Sequence, residues 1–424
     1  MTIRKVCIVD GARIPFCRSG SNYMRKSNKE LMTSAISHLV KKLKLEGKEL
    51  GEVALGAVSK HAADFSLARE CTVDGGLSYH TPATDLQKAC GTSLEAVITV
   101  ANKIALGQIE SGIAGGVDTN SDIPVEFNKK FSDAMAKVNY SRTTGDKLKA
   151  LAGLRPGDLV PVFPAVKEPR TGLSMGESCE VMAKEWKVTR EEQDQLALDS
   201  HKKAAAAYDE GFFDDLVYDF AGIKKDGIVR GDTTMEKMAK LKPCFDRKSG
   251  NGTLTPANST PLSDGAACVF LCSEEYAKEN GLEVKAYFTL SQSAAVNYVS
   301  EEGLLMAPAY AVPKMLDKAG MSLQDFDFYE IHEAFAAQVL CTLKAWESEE
   351  FCKEKLGLEG ALGSIDRAKL NVKGGSLALG HPFAATGARI VATLAKLIDE
   401  KGSGKGLISI CTAGGMGVTA IIEK

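Results

Sequence analysis

No apolar run in the 424 residues approaches the roughly 18 that a membrane-crossing helix needs. The N-terminal stretch MTIRKVCIVDGARIPF lacks the long apolar segment and small-residue cleavage site of a secretory leader. The expected location is the cytoplasm. A basic surplus is missing as well: the formal net charge is −3, which argues against nucleic acid as a partner, because phosphate binding needs a basic surface. The eleven cysteines form no CxxC pair and no dense regular spacing, so neither a disulfide framework nor a metal site is expected. Most read as small buried apolar groups, and Cys268 and Cys272, in AACVFLCSE, read as part of a core strand. Histidine is scarce, with six in all. One of them, His381, stands between Gly380 and Pro382, where the backbone is held in a fixed loop.

What is present is the balance of a globular chain, 44% hydrophobic and 25% charged, and a length that implies two or three domains or one large fold with an insertion. Short β-branched runs alternate with helical patterns. KVCIVDGA, VALGAVSK and SGIAGGVDTN read as strands, NKELMTSAISHLVKKLKL and TSLEAVITVANKIALGQ as helices. The alternation predicts an α/β protein with a layered, partly parallel sheet. The C-terminal part repeats this grammar in DFDFYEIHEAFAAQVLCTLKAW, TGARIVATLAKLIDEKG and GLISICTAGGMGVTAIIE. In both halves a glycine turn opens a helix, and the next strand is expected to end at a glycine pair, Gly115-Gly116 and then Gly414-Gly415. That outline suggests a duplicated unit.

Between the halves, residues 121–250 are charged, helical in pattern and poor in strands. From Val125 to Arg170 there are nine Lys or Arg against five Asp or Glu. Phe127, Phe131, Met135 and Val138 fall on one stripe of a helix. A helical excursion packed on its own domain explains this, and so does an element that docks on a partner or a membrane surface.

Four residues carry a chemical signal. Cys90, in DLQKACGTSLEAV, stands at a strand-to-helix turn, where free backbone N–H groups and the helix dipole favour a thiolate; a structural thiol is the alternative. Cys411, in CTAGGMG, ends a strand before a glycine turn and either projects into a cleft or packs above the turn. His381 can point from its rigid loop into a pocket. His332, in YEIHEAFAAQ, follows a strand and opens a helix, so a simple capping role is also open to it.

Together the blocks KACGTSLEA, HEAFA, GGSLALGHPFAATGAR and CTAGGMG resemble, in order, the four signature blocks of the thiolases, the acetyl-CoA C-acyltransferases. VDGARIPF, MGESCEVMAKEWKVTREEQDQLALDSHKKAAAA and GTLTPANSTPLSDGAA are similar to further stretches of that family, so the resemblance spans the chain. It implies the thiolase fold, an α/β protein whose two similar halves form a five-layer αβαβα core with an inserted helical loop domain. Residues 1–120 would form the first half, 121–250 the insertion, 251–285 the return to the first half, and 286–424 the second half. It implies thiolytic cleavage of a 3-ketoacyl-CoA by CoA through a ping-pong route, with CoA as substrate and no permanently bound cofactor. Cys90 would carry the acyl group, His381 would take its proton, and Cys411 would exchange a proton with the departing acetyl-CoA. His332 and His381 would supply one oxyanion hole, and the backbone N–H groups of Cys90 and Ala413 the other. Met175 would line the acyl pocket and Thr260 would lie near the pantetheine.

The sequence departs from the commoner family pattern at His332, where asparagine is usual, and at Ala413 and Ala384, where glycine is frequent. The first two, with the long segment FNKKFSDAMAKVNYSRTTGDKLKALAGLRPGDLVPVFPAV, are similar to the β-subunit branch of fatty-acid β-oxidation complexes. Expected partners are therefore acyl-CoA and CoA, a second copy in a homodimer or homotetramer, and a hydratase/dehydrogenase α-subunit or a membrane surface. A biosynthetic acetoacetyl-CoA synthase and a non-catalytic acyl-CoA-binding relative are the alternatives.

Overall fold

The computed structural model describes residues 3–164 and 166–424. Its strands are β1 (Val6–Arg13), β2 (Cys17–Arg18), β3 (Glu52–Leu55), β4 (Ala83–Asp85), β5 (Ser111–Asp118), β6 (Glu126–Phe127), β7 (Pro161–Val162), β8 (Ser263–Ser273), β9 (Ala286–Ala295), β10 (Phe328–Ile331), β11 (Lys405–Thr412) and β12 (Met416–Glu423). One sheet runs in the order β10-β11-β12-β9-β1-β8-β5-β3-β4, with β2 added to β8, while β6 and β7 pair apart. β3 lies parallel to β4 and β5, and β10 parallel to β11; the remaining neighbours are antiparallel. β1 and β9 meet over only three residue pairs, Val6–Phe288, Cys7–Tyr287 and Ile8–Ala286. This short seam joins the strands of the two halves.

Side chains alternate across each strand, so a strand covered on both faces must be apolar throughout. β1, β5 and β8 are buried along their whole length. Cys7, Val9 and Ala12 of β1 face the helix Asn28–Lys42, which presents Leu31, Met32, Ala35, Ile36 and Leu39. Val6 and Ile8 face the other way, into a cluster shared by Val97 and Ile390 of two central helices and by Val269, Ile408 and Val418 of both halves. Those helices, Thr92–Ala105 and Thr386–Lys401, pack against each other between the two sets of strands. Their approach depends on Gly387, where a Cβ would stand 2.3 Å from the Leu94 amide nitrogen. The helix Ala307–Ala319 covers β9 and β12 from outside. The result is the expected sequence of layers: helix, sheet, helix, sheet, helix.

Three local expectations are corrected. β5 does not end at Gly115-Gly116 but continues to Asp118. The glycines are there because a Cβ at Gly116 would lie 2.2 Å from the Ala384 carbonyl oxygen. By contrast Gly414 and Gly415 do form a turn, with φ of 78° and 68°. His332 does not cap a helix: the helix begins at Ala336 with Phe335 as its N-cap, and His332 lies in the extended link before it. Phe127 belongs to β6, whereas Phe131, Met135 and Val138 lie on the helix Lys129–Tyr140.

That helix and its neighbour, Thr144–Leu151, scarcely pack on the rest of the molecule. Ala134 is the one buried residue of the first, and the second has none. Phe127, Met135, Tyr140 and Leu148 are exposed at 55, 44, 84 and 63%. A helical excursion packed on its own domain therefore does not describe this hairpin. No helix among the described residues is long and apolar enough to cross a membrane.

Candidate active site

Cys90 sits just before the helix Thr92–Ala105, with Gly91 as N-cap. Ala89, immediately before it, is held in the left-handed region at φ 44°, a conformation that a non-glycine residue keeps only when its surroundings enforce it. Here Thr92 enforces it: its hydroxyl accepts from the Lys88 amide at 2.8 Å and donates to the Ala89 carbonyl at 2.7 Å. At Gly91 a Cβ would meet Val418 at 2.6 Å, so the turn lies directly against β12.

The loop bearing His381 comes from the other half and is fastened at three points. The His381 amide donates to Ser263 at 3.2 Å, the Ala384 amide to Asp118 at 2.8 Å, and the Ala388 amide to Ser93 at 2.8 Å. Gly380 has φ 104°, which permits the bend before the histidine. Its ring is then fixed from both sides. Nδ1 meets Thr386 Oγ1 at 2.6 Å, and Nε2 meets Cys90 Sγ at 3.2 Å.

His332 leaves the end of β10 and brings its ring within 4.1 Å of the His381 ring, centroid to centroid. Ligand atoms of Cys90, His332 and His381 all lie within 4.8 Å of one another. Asn371, at φ 44°, clamps the strand end: its side chain accepts from the Ile331 amide at 3.0 Å and donates to the Ile331 carbonyl at 2.9 Å. The buried Glu333 carboxylate holds the next residues, accepting from Asn371, Ser200 and the Leu377 amide.

Cys411 is buried at the end of β11, close enough to Cys90 that charge on one sulfur raises the other thiol. The amides of Ala413 and of Cys90 itself lower the Cys90 thiol and so favour its ionised form. Ala413 keeps an ordinary negative φ, so its Cβ costs the turn nothing. The insertion reaches this point too, since the Gly414 amide donates to the buried Glu168 carboxylate at 2.7 Å.

Burial dominates the electrostatics. It pushes the Cys90 thiol up to about 12, against the two backbone amides that favour the thiolate. It pushes His381 down to about 3, with the buried Arg389 guanidinium acting in the same direction. His332 is held well below the ordinary histidine range by burial, then by His381 and Arg389. Both shifts favour a neutral thiol beside a neutral imidazole in the resting pair, against the thiolate that the helix N-terminus alone suggested. Of the four residues, Cys90 alone keeps partial solvent exposure.

Met175 and Thr260 lie outside this constellation. Met175, the first residue of the helix Met175–Glu185, packs on the apolar cluster of the second half. Thr260 donates its hydroxyl to the Ser376 carbonyl at 3.1 Å and its amide to Ala334, tying together the two segments that carry the histidines. Sequence reasoning passed over Asp118, Glu333, Asn371, Ser376, Thr386 and Arg389. Five of them stand inside or beside the blocks that carry His332 and His381, and polar residue types within an otherwise apolar block were the available signal.

Comparison with known proteins gives a consistent picture. Residues 6–275 match the family described as "Thiolase, N-terminal domain" and residues 282–424 "Thiolase, C-terminal domain". The chain is 42% identical, over 99% of its length and 96% of the relative's, to a 3-ketoacyl-CoA thiolase of Pectobacterium carotovorum subsp. carotovorum. It is 41% identical to one of Vibrio cholerae, over 99% and 97%. Among solved structures it is similar to a Bacillus anthracis acetyl-CoA acetyltransferase, with TM-score 0.82, 31% identity and coverage of 100% and 99%. Human mitochondrial 3-ketoacyl-CoA thiolase gives TM-score 0.81, 26% identity and 99% coverage of both chains.

Proposed function

The chain belongs to the thiolase family, and on that premise we propose that it is a 3-ketoacyl-CoA thiolase in which Cys90 forms the acyl thioester. The observation that carries this reading is the Cys90 Sγ–His381 Nε2 contact of 3.2 Å beside the buried Cys411.

The residues divide the work as follows. His381 Nε2 takes the Cys90 proton as Sγ attacks the 3-keto carbon, so the thiolate exists only during attack. The oxyanion gains donors from the imidazoles and from the Cys90 and Ala413 amides. The C2–C3 bond breaks, leaving an acyl thioester on Cys90 and an enolate of acetyl-CoA, which takes its proton from Cys411. The proton that His381 took from Cys90 then passes to the Cys411 thiolate. CoA then gives its thiol proton to His381 and attacks the thioester. The Cys90 sulfur leaves and recovers that proton, releasing the shortened acyl-CoA. CoA enters as substrate, and no resident cofactor has a step.

Incubation with acetyl-CoA followed by peptide mass spectrometry tests this directly. Acetyl on Cys90 is expected; label confined to other residues would sink the assignment. Rates on C4 against C10 to C16 ketoacyl-CoAs separate it from a biosynthetic acetoacetyl-CoA synthase. A preparation inactive on all of them would favour a non-catalytic acyl-CoA-binding relative.

The exposed hairpin supports a second part of the proposal, that Phe127, Phe131 and Met135 dock on an external surface. In the groove of about 1190 Å³ between its helices Lys129 and Lys130 are paired with Asp133 and Asp158, which leaves Lys137 and Lys149 against Asp146, so a negatively charged surface fits it best.

A further inference from the structure

A buried line of polar groups runs away from the reacting atoms behind His332. Its Nδ1 meets Ser376 Oγ at 2.8 Å, and the same oxygen meets Arg389 Nη2 at 2.7 Å. All three residues are essentially inaccessible to solvent, at 0, 0 and 1%. Arg389 Nη1 lies 3.7 Å from the Glu330 carboxylate, also buried. His332 Nε2 is buried and has no partner.

Counting protons along this line fixes each group. A guanidinium has donors and no acceptor, so Arg389 must donate to Ser376 Oγ. The serine hydroxyl has one proton, and donating it to His332 Nδ1, its only other contact in this network, is the arrangement that leaves this buried proton paired. Nδ1 is then the bare nitrogen. Burial and the neighbouring positive charge keep the ring neutral, which leaves its single hydrogen on Nε2.

We propose that Ser376 and Arg389 are positioning residues that set the tautomer of His332, so that its Nε2–H is presented as a hydrogen-bond donor in the space beside Cys90 and His381. The two histidines are thereby given opposite roles. His381 needs a bare Nε2 to accept the Cys90 proton, and its Nδ1–H is accommodated by Thr386 Oγ1. His332, tied by the opposite nitrogen to a hydroxyl that must donate, offers a proton from the start. Two imidazoles 4.1 Å apart would otherwise be interchangeable. The assignment also bears on the trio of Cys90, His332 and His381, whose spacing would suit a soft cation: an Nε2 that bears hydrogen is a donor and not a ligand.

The catalytic value of that donor rests on the thiolase reading above, but the tautomer does not. Protein labelled with ¹⁵N-histidine, observed through two-bond proton–nitrogen couplings, reports the tautomer without substrate; His332→Asn identifies the signal by its loss. The unsubstituted protein should show His332 as the neutral Nε2–H form. Ser376→Ala should move it toward Nδ1–H, Ser376→Thr should preserve Nε2–H, and Arg389→Met should release the serine and mix the two forms. In steady-state thiolysis Ser376→Ala should lower kcat by roughly 10- to 100-fold with KM changed less than about threefold, as expected when a donor acting on the transition state is turned away. An Nδ1–H or doubly protonated His332 in the unsubstituted protein overturns the proposal, whatever the variants do. So does a Ser376→Ala protein that loses rate while His332 keeps Nε2–H. Failure of acetyl-CoA to label Cys90 would instead remove the thiolase reading and leave the tautomer standing.

Discussion

The centre around Cys90 and the hairpin formed by Lys129–Tyr140 and Thr144–Leu151 both reverse the usual placement of side chains, in opposite directions. At the centre, Asp118, Glu330, Glu333, Arg389 and both histidines are buried. On the hairpin and the strand β6 that leads into it, Phe127, Met135, Tyr140 and Leu148 face outward. Each reversal costs folding free energy, because buried polar groups must be matched and exposed apolar groups gain nothing. The centre meets part of its cost internally: Asp118 accepts from the adjacent Val58 and Ser59 amides and from Ala384, and Glu333 accepts from Ser200, Asn371 and Leu377, whereas both Glu330 carboxylate oxygens and Arg389 Nε have no hydrogen-bond partner. The exposed apolar side chains of the hairpin have no such match among the described residues, which is what the proposed docking would supply. On that proposal one region serves chemistry and the other contact, and substitutions should affect them separately.

The largest separation is expected from Cys90→Ser. The hydroxyl is a far weaker nucleophile, so thiolysis should fall by about 10⁴-fold, while the thermal midpoint stays within a few degrees because the cavity is unchanged. Steady-state rates and a melting curve check both. A variant that retained a tenth of the activity would put the nucleophile elsewhere.

Asp118→Asn tests whether the centre depends on its buried matching. The carboxylate accepts from the Val58 and Ser59 amides, both at 2.9 Å, and from Ala384 on the His381 loop at 2.8 Å. An amide keeps one acceptor and turns N–H against N–H at the other. The loop should shift, lowering kcat by roughly 100-fold and stability by about 1–3 kcal/mol. An unchanged kcat with lowered stability would make Asp118 a structural residue only.

These two residues also show what was legible in the sequence. Cys90, His332, His381 and Cys411 stand in blocks specific enough to name; the alternation of strand and helix patterns points to a layered α/β protein, and the five layers come from the resemblance those blocks carry. Asp118 lay in plain view at the end of SGIAGGVD, but its partners are 60 and 266 residues away, and no local pattern carries that distance. The thiolate expectation failed for the same reason. A helix N-terminus is a local feature, whereas the burial that outweighs it is assembled from both halves. A capping role stays open to His332 in the sequence because strand-then-helix is visible there, and the extended link before Ala336 is not.

The protonation state gives a smaller but sharper effect. Because burial raises the Cys90 thiol to about 12, the thiolate fraction is below its limit at every ordinary pH. Its alkylation by iodoacetamide should rise about tenfold per pH unit from pH 6 to 9 without levelling. Conversely, His381, lowered to about 3, stays neutral throughout and adds no inflection. A rate that is flat between pH 6 and 8 would mean that the resting pair is thiolate and imidazolium, and that the enclosing protein does not control it.

The smallest effect on catalysis should come from the hairpin, which is where the comparison is most exposed to test. Phe127→Ser combined with Met135→Ser removes two side chains that are 55 and 44% exposed, so neither stability nor thiolysis should change by more than about twofold. Binding should change instead. The lysines lining the groove and the apolar side chains around it predict association with vesicles containing anionic phospholipid at low salt, weakened by salt through charge screening. The doubly substituted protein should lose the part of the binding that salt does not remove, because that part comes from apolar burial. Flotation of both proteins at low and high salt separates the contributions. If the unsubstituted protein does not float under any condition, the membrane reading fails, and cross-linking from the hairpin lysines that captures no partner would remove the docking proposal as well. If the double substitution lowers thiolysis as much as Asp118→Asn does, the division between a chemical centre and a contact surface is wrong, and Glu168, which joins the insertion to the Gly414 amide near Cys411, becomes the first coupling route to test.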